Sequence, residues 1–233
     1  MAAWQDSFQP LKITAWLRTN VVSDEYLPLD GIIRDAAMFY HHGFKPFSLP
    51  GGELRNSDLP PRAMPLAKRV RSEIYYYACS FAYPQPWWVS EGSDHWNKRF
   101  DFQYSGLIDF QGKRGAVNTQ SARYRAYHMP ISYRTAQKVE WYCVGEKAMI
   151  EKYLALVTHI GKKRSQGWGR VTQWDVQEWH EDWSEMKDDK PMRALPAQDF
   201  LEGHDFNLRH YAVRPPYYTV GHFKPNQMLC VTP

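Results

Sequence analysis

Residues 161–171, Gly161-Lys162-Lys163-Arg164-Ser165-Gln166-Gly167-Trp168-Gly169-Arg170-Val171, combine three glycines with four cations and no acid. Glycine accepts positive φ and lets a ligand approach the main chain. Such a loop can therefore present backbone amides together with Lys162, Lys163, Arg164 and Arg170 to a run of phosphates. That is the chemistry of an RNA-backbone cradle, with Ser165 and Gln166 at its middle. Trp168, set between two glycines, has little local structure to pack on and is placed to stack a base, an interaction worth about 1–3 kcal/mol. The plainer alternative is a solvated turn joining a helix to a strand.

Two further basic clusters stand apart from the loop. Lys113, Arg114, Arg123 and Arg125 are interleaved with Tyr124 and Tyr127, a mixture of cations and ring faces suited to a single strand. An ordinary charged hairpin would look the same. Arg62, Lys68, Arg69 and Arg71 are weaker, because a solvated charged face accounts for them. Metal-independent RNA cleavage would need a histidine near neutral pKa and a Lys or Tyr to stabilise the phosphorane. Tyr40, His41 and His42 with a loop lysine are candidates for that alternative, with His128 and His159 nearby in sequence to other elements. Paired histidines ending a helix are also favoured simply by its dipole. No phosphate-binding G-x-x-x-x-G-K-[ST], zinc H-E-x-x-H or G-x-S-x-G motif occurs, and neither a metal nor a cofactor is implied. The runs Tyr75, Tyr76, Tyr77 and Trp87, Trp88 read as core or subunit contact.

The elements that must position the loop follow from periodicity. Residues 11–18 alternate as a half-buried strand, and from Asp30, an N-cap candidate, Ile32, Ile33, Ala36, Ala37 and Tyr40 recur at helical spacing as far as Gly43. Residues 44–66 are broken by Pro and Gly. A second strand is expected over 72–83, buried on both sides, after which 84–130 lacks a sustained period and reads as an inserted hairpin or thumb. A third strand over 138–144, a helix over 146–160 and a fourth strand over 171–178 complete the order. This is an α+β, ferredoxin-like (RRM-like) β-α-β-β-α-β arrangement, with both helices on one face of an antiparallel sheet and the other face open. The expected organisation is one domain from 1–83 and 131–233, interrupted by 84–130. The seven acids of 175–190 read as a solvated connector, and 204–233 as an unplaced C-terminal extension.

At 233 residues, 43% hydrophobic and 15% aromatic, the chain can fill one large core and still turn rings toward a partner. The net charge of +4 sums separated basic and acidic blocks, and the basic ones suggest a polyanion. Cys79, Cys143 and Cys230 are odd in number and widely spaced, so neither a disulfide framework nor a zinc site is expected, and a reducing cytoplasm fits. No leader pattern or eighteen-residue apolar window is present, so a soluble, unprocessed chain with no membrane partner is expected.

The glycine-rich basic loop after the second helix resembles the signature of the RAMP proteins of CRISPR systems. Leu11-Lys12-Ile13-Thr14-Ala15-Trp16-Leu17, then Leu29-Asp30-Gly31-Ile32-Ile33, and the later Arg214-Pro215-Pro216-Tyr217 are similar to the small RAMP subunit of type IV CRISPR effectors, the Csf-three or Cas-five-type family. The resemblance implies a non-catalytic subunit that holds the 5′ handle of the CRISPR RNA, caps the backbone filament and extends 84–130 as a thumb. It also implies backbone and large-subunit partners, target DNA beside the protospacer-adjacent motif, and a helicase acting with the complex. The alternative is a CRISPR-RNA endoribonuclease.

Overall fold

The structure is a computed structural model that describes residues 7–24, 26–42, 59, 63–71, 73–85, 90–107, 119–120, 124–200, 206–215, 217 and 227–233. Along the chain these form β1 (Gln9–Leu17), α1 (Leu29–His42), β2 (Lys68–Arg71), β3 (Ile74–Tyr77), β4 (Tyr83–Gln85) and β5 (Ser90–Lys98). They continue as β6 (Tyr127–Thr135), β7 (Lys138–Gly145), α2 (Lys147–Leu154), β8 (Val171–Glu178), β9 (Met186–Lys187), β10 (Lys190–Pro191), β11 (Leu195–Pro196), β12 (Asn207–Ala212) and β13 (Gln227–Thr232). The architecture is mixed α/β, mostly strands with few helices.

The alternation of Leu11, Ile13 and Ala15 puts all three on the buried face of β1. That strand sits inside a four-stranded sheet of order β4-β7-β1-β8, with every neighbour antiparallel. Val139, Trp141 and Cys143 of β7 and Val176 of β8 face the same way, and Leu29, Ile33, Ala36 and Ala37 of α1 with Ile150, Tyr153 and Leu154 of α2 close the core. Trp141 is fully buried and its indole N–H donates to Leu27 O at 3.0 Å, so burial leaves no orphan donor there. Asp30 lies within the first turn of α1 rather than ahead of it, and Gly43 is outside the described residues.

Several expectations are revised. The strand expected over 72–83 is broken: β3 pairs with β2 as a hairpin, 78–80 run beside β7 through Ser80 N to Tyr142 O and Val144 N to Ala78 O, and only β4 joins the sheet ladder. The break arises because Arg193 takes the carbonyls of Tyr77 and Cys79 and Phe81 N donates to Met192 O. The second helix ends at Leu154, not 160, since Ile160 must turn into the core and donate to Gly169 O. The opposite sheet face is partly covered: Trp179 and Trp183 pack on Tyr142, and Lys12 and Lys138 both reach buried Glu140 at 3.3 and 2.8 Å. Nor is the acidic stretch merely solvated. Asp182 and Glu185 bind Arg69 and Arg71, and the chain then buries Met192, Arg193, Ala194, Leu195 and Ala197.

The C-terminal extension supplies β12 and β13, which with β11 make a three-stranded sheet of order β11-β13-β12 over a second core built from Tyr76, Phe81, Leu195, Val213, Cys230 and Val231. Arg193, 1% exposed, joins the two cores. Its guanidinium donates to the carbonyls of Tyr77, Cys79 and Val213, lies 4.8 Å from the Tyr76 ring and stands 3.8 Å from Asp30 Oδ2. Tyr217 donates to the other oxygen of Asp30 at 2.6 Å. Burial pushes the Asp30 carboxyl up, against the opposing pull of Arg193 and Tyr217. Removing one member of a buried charged group leaves the others unpaired. Arg193→Ala is therefore expected to cost about 3–5 kcal/mol in urea unfolding; a midpoint matching the parent chain would show that the three carbonyls do not need it.

Candidate nucleic-acid interface

The glycine loop is a built structure. Its backbone is left-handed at Gly161 (φ 80°), Lys163 (φ 57°), Gly167 (φ 88°) and Gly169 (φ 68°). A Cβ on Gly161 would stand 2.5 Å from Val22 O, and one on Gly169 would run into Ile160 O, whereas Gly167 faces open space. Two of the glycines thus allow close backbone packing and the third serves conformation alone. Lys162 N donates to Val22 O, Gly169 N to Asn20 O at 2.7 Å, and Ile160 N to Gly169 O at 2.8 Å. Thr19 Oγ1 donates to Gly167 O at 2.9 Å and accepts from Arg170 N at 2.8 Å. Between these anchors residues 164–166 make one 3-10 turn that exposes Arg164, Ser165 and Gln166.

The β5–β6 hairpin leans on this loop. β5 and β6 pair from Ser90↔Thr135 to Lys98↔Tyr127, so Gly92, Trp96 and Lys98 share one face with Tyr127, Met129, Ile131 and Tyr133. On that face Trp96 stacks on Tyr127 (centroids 5.9 Å, planes 13° apart), and Lys98 lies 5.7 Å from the same tyrosine. Trp168 of the loop stacks on Tyr133 at 5.2 Å and 30°. Lys163 reaches across to the Trp96 ring at 4.7 Å. Loop and hairpin therefore present one strip of rings with Lys163 and Lys98 against it, and Arg170 of the loop is exposed. Of the expected thumb residues, Tyr124 packs edge-on against Phe100 at 5.2 Å and Arg125 is exposed. Lys113, Arg114 and Arg123 lie outside the described residues.

Not every loop cation points at solvent alone. Lys162 Nζ is 2.5 Å from Asp24 Oδ1, and Arg164 Nη1 is 2.9 Å from Asp35 Oδ2, all four side chains being half or more exposed. Sequence reasoning missed these acids, as it missed Trp96 and Tyr133. The ring positions had a readable signal in the period of two through Tyr127, Met129, Ile131 and Tyr133. The acids had none, since they precede the loop by more than a hundred residues.

The remaining candidates are placed elsewhere. His41 Nε2 is 3.0 Å from Tyr153 OH, and Lys152, not a loop lysine, lies 4.6 Å from the Tyr40 ring; His42 ends α1. Burial raises the Tyr153 phenol, with Tyr40 and Glu146 adding to it. His128 stacks on His95 at 4.5 Å and meets Asn97 on the opposite hairpin face, while His159 pairs with Thr158. Arg69 and Arg71 are neutralised by Asp182 and Glu185, Lys68 sits 5.1 Å from the Tyr75 ring, and Arg62 lies outside the described residues. Among the described residues no group of His, Cys, Asp and Glu could hold a metal ion, and no helix is long and apolar enough to cross a membrane.

Residues 64–229 match the family described as CRISPR type IV associated protein Csf3. The chain belongs to that family. No curated protein matches it in sequence. Among solved structures it is similar to a chain of the "Cryo-EM structure of the Type III-B Cmr-beta bound to cognate target RNA", with 12% identity and a TM-score of 0.39. That likeness covers 75% of this chain, which spans 62% of the length of the other.

The packing separates the roles of the loop glycines. Gly167→Ala is expected to cost only the left-handed backbone penalty, about 1–2 kcal/mol. Gly169→Ala adds a collision with Ile160 O and should lower the thermal midpoint distinctly further. Equal losses in the two variants would mean that the Ile160–Gly169 approach is not a constraint.

Proposed function

We propose that the chain is a non-catalytic CRISPR-RNA-binding subunit of a type IV effector ribonucleoprotein, which holds the 5′ handle at the glycine loop and caps the filament of backbone subunits. The observation that carries this reading is the joining of loop and hairpin into one strip, with Lys163 and Trp168 of the loop seated on Trp96 and Tyr133 of the hairpin. Single-stranded RNA has both phosphates for the cations and splayed bases for the rings. Family membership supports the CRISPR context.

In this reading β1, α1, β4, β7, α2 and β8 are the six elements of a ferredoxin-like domain, consistent with the fourth-first-third-second order of its strands. The β5–β6 hairpin is the thumb. Its far end reaches toward the guide or the neighbouring backbone subunit, and target DNA beside the protospacer-adjacent motif, the large subunit and a helicase are further partners. A cytoplasmic site of action fits this role. The grouping of Tyr40, His41, Tyr153 and Lys152 favours the second reading, a metal-independent endoribonuclease acting on repeat RNA.

The two readings part in one set of preparations. Purified with its whole operon, the chain should bring down short RNAs sharing one 5′ handle, and Lys162→Glu, Lys163→Glu and Arg164→Glu together should abolish that recovery. Each phosphate that a single such variant leaves without its cation should also flatten the dependence of log affinity on log salt by about 0.7. Wild-type recovery in the triple variant sinks the binding reading. Cleavage of repeat RNA in EDTA, abolished by His41→Ala with His42→Ala, establishes the nuclease.

A further inference from the structure

Behind the loop lies a cleft of about 670 Å³, walled by the segment before α1, the first turns of α1, residues 157–164 and β12. Its size is that of a small-ligand site. The walls are apolar and aromatic, with Leu27, Met38, Ile160, Tyr26 and Tyr211 among them, the two tyrosine rings meeting edge to face at 5.7 Å. His159 and His210 add polar edges. A planar heterocycle would find stacking surface and hydrogen-bond partners there.

The mouth has a second feature. Lys162 and Arg164, two cations of the RNA cradle, line the cleft together with the carboxylates they bind, Asp24 and Asp35. Ion pairs this exposed are weak, because water screens both partners and competes for them. They are strong enough to hold the cations over the opening and weak enough to be exchanged for a phosphate, which attracts a guanidinium through two oxygens at once.

We propose that the cleft receives one everted nucleotide of the bound strand, its base lying against the wall that Tyr26 and Tyr211 form and its phosphate taking Lys162 and Arg164 from Asp24 and Asp35. The inference rests on the RNA-binding reading above and adds to it a base-specific pocket and two acids that oppose indiscriminate binding. A strand whose backbone does not place a nucleotide at the mouth leaves both cations paired and gains little from them.

The test uses the full chain and a synthetic copy of the RNA that copurifies with it, made abasic at one position at a time. One position should lose about 5–150-fold in affinity, the worth of a stacked base. Ala212→Phe, which fills the cleft wall on β12, should bind intact and abasic RNA alike. Asp24→Asn with Asp35→Asn should tighten binding of the intact strand by about 2–30-fold, the cost of two exchanged surface pairs. RNA bound with a flat abasic scan overturns the pocket and leaves the loop reading standing. A penalty that survives Ala212→Phe, or weaker binding by the double asparagine variant, also overturns it. Failure of the parent chain to bind any of these RNAs overturns both.

Discussion

The short stretch 18–22 is hydrogen-bonded along both of its edges. On one side Arg18 N donates to Arg170 O, and Asn20 O and Val22 O accept from Gly169 and Lys162. On the other, Val21 exchanges both backbone bonds with Arg134 at 2.8 Å, and Asn20 Oδ1 accepts from Thr135. Each such bond contributes about 0.5–1.5 kcal/mol net, so none is decisive alone. Together they set where the loop sits relative to the hairpin, because β5 and β6 pair only with each other among the described strands. A two-stranded hairpin is marginal by itself. Val21 and the Trp168–Tyr133 stack give it something to lean on, and the same two contacts place ring faces beside loop cations.

The loop's charges obey a different logic from its backbone. The main chain is fixed by left-handed residues and by packing that admits no side chain at Gly161 or Gly169. The cations are held by partners that are easily replaced: exposed carboxylates for Lys162 and Arg164, a ring face for Lys163. A rigid frame carrying exchangeable charges has little conformational entropy to lose to any anion that takes those charges. The buried charges do the reverse. Arg193 and Asp30 sit where no solvent can replace their partners, so they hold the C-terminal sheet against α1 and the β3–β4 segment.

Much of the core was legible because it obeys simple periods. Leu11, Ile13 and Ala15, then Val139, Trp141 and Cys143, announced two central strands, and Ile33, Ala36 and Ala37 the face of α1. The second strand was misread because alternation through 74–83 cannot reveal that an arginine more than a hundred residues later takes its carbonyls. The acidic stretch was misread for a related reason: composition cannot show that Asp182 and Glu185 have arginines waiting on β2. At the interface the loop glycines and cations were plain in sequence. Trp168 was expected to lack a local support, yet it finds Tyr133 through tertiary packing, and the carboxylates of Asp24 and Asp35 depend on the same long-range closure.

The span of the family match bears on where the interface gets its shape. Residues 64–229 include the whole glycine loop and both strands of the hairpin, the parts that carry cations and rings. Thr19, Asn20, Val21 and Val22, which hold those parts together, and Asp24 and Asp35, which bind two of the cations, all precede residue 64. The functional groups and the residues that set their spacing are thus contributed by different stretches of chain. A substitution at Val21 or Asn20 removes none of the cations and none of the rings. Proline at Val21, which lacks the N–H given to Arg134 O, or Ala at Asn20, which lacks the oxygen that accepts from Thr135, would nonetheless weaken the tie between the loop and β6.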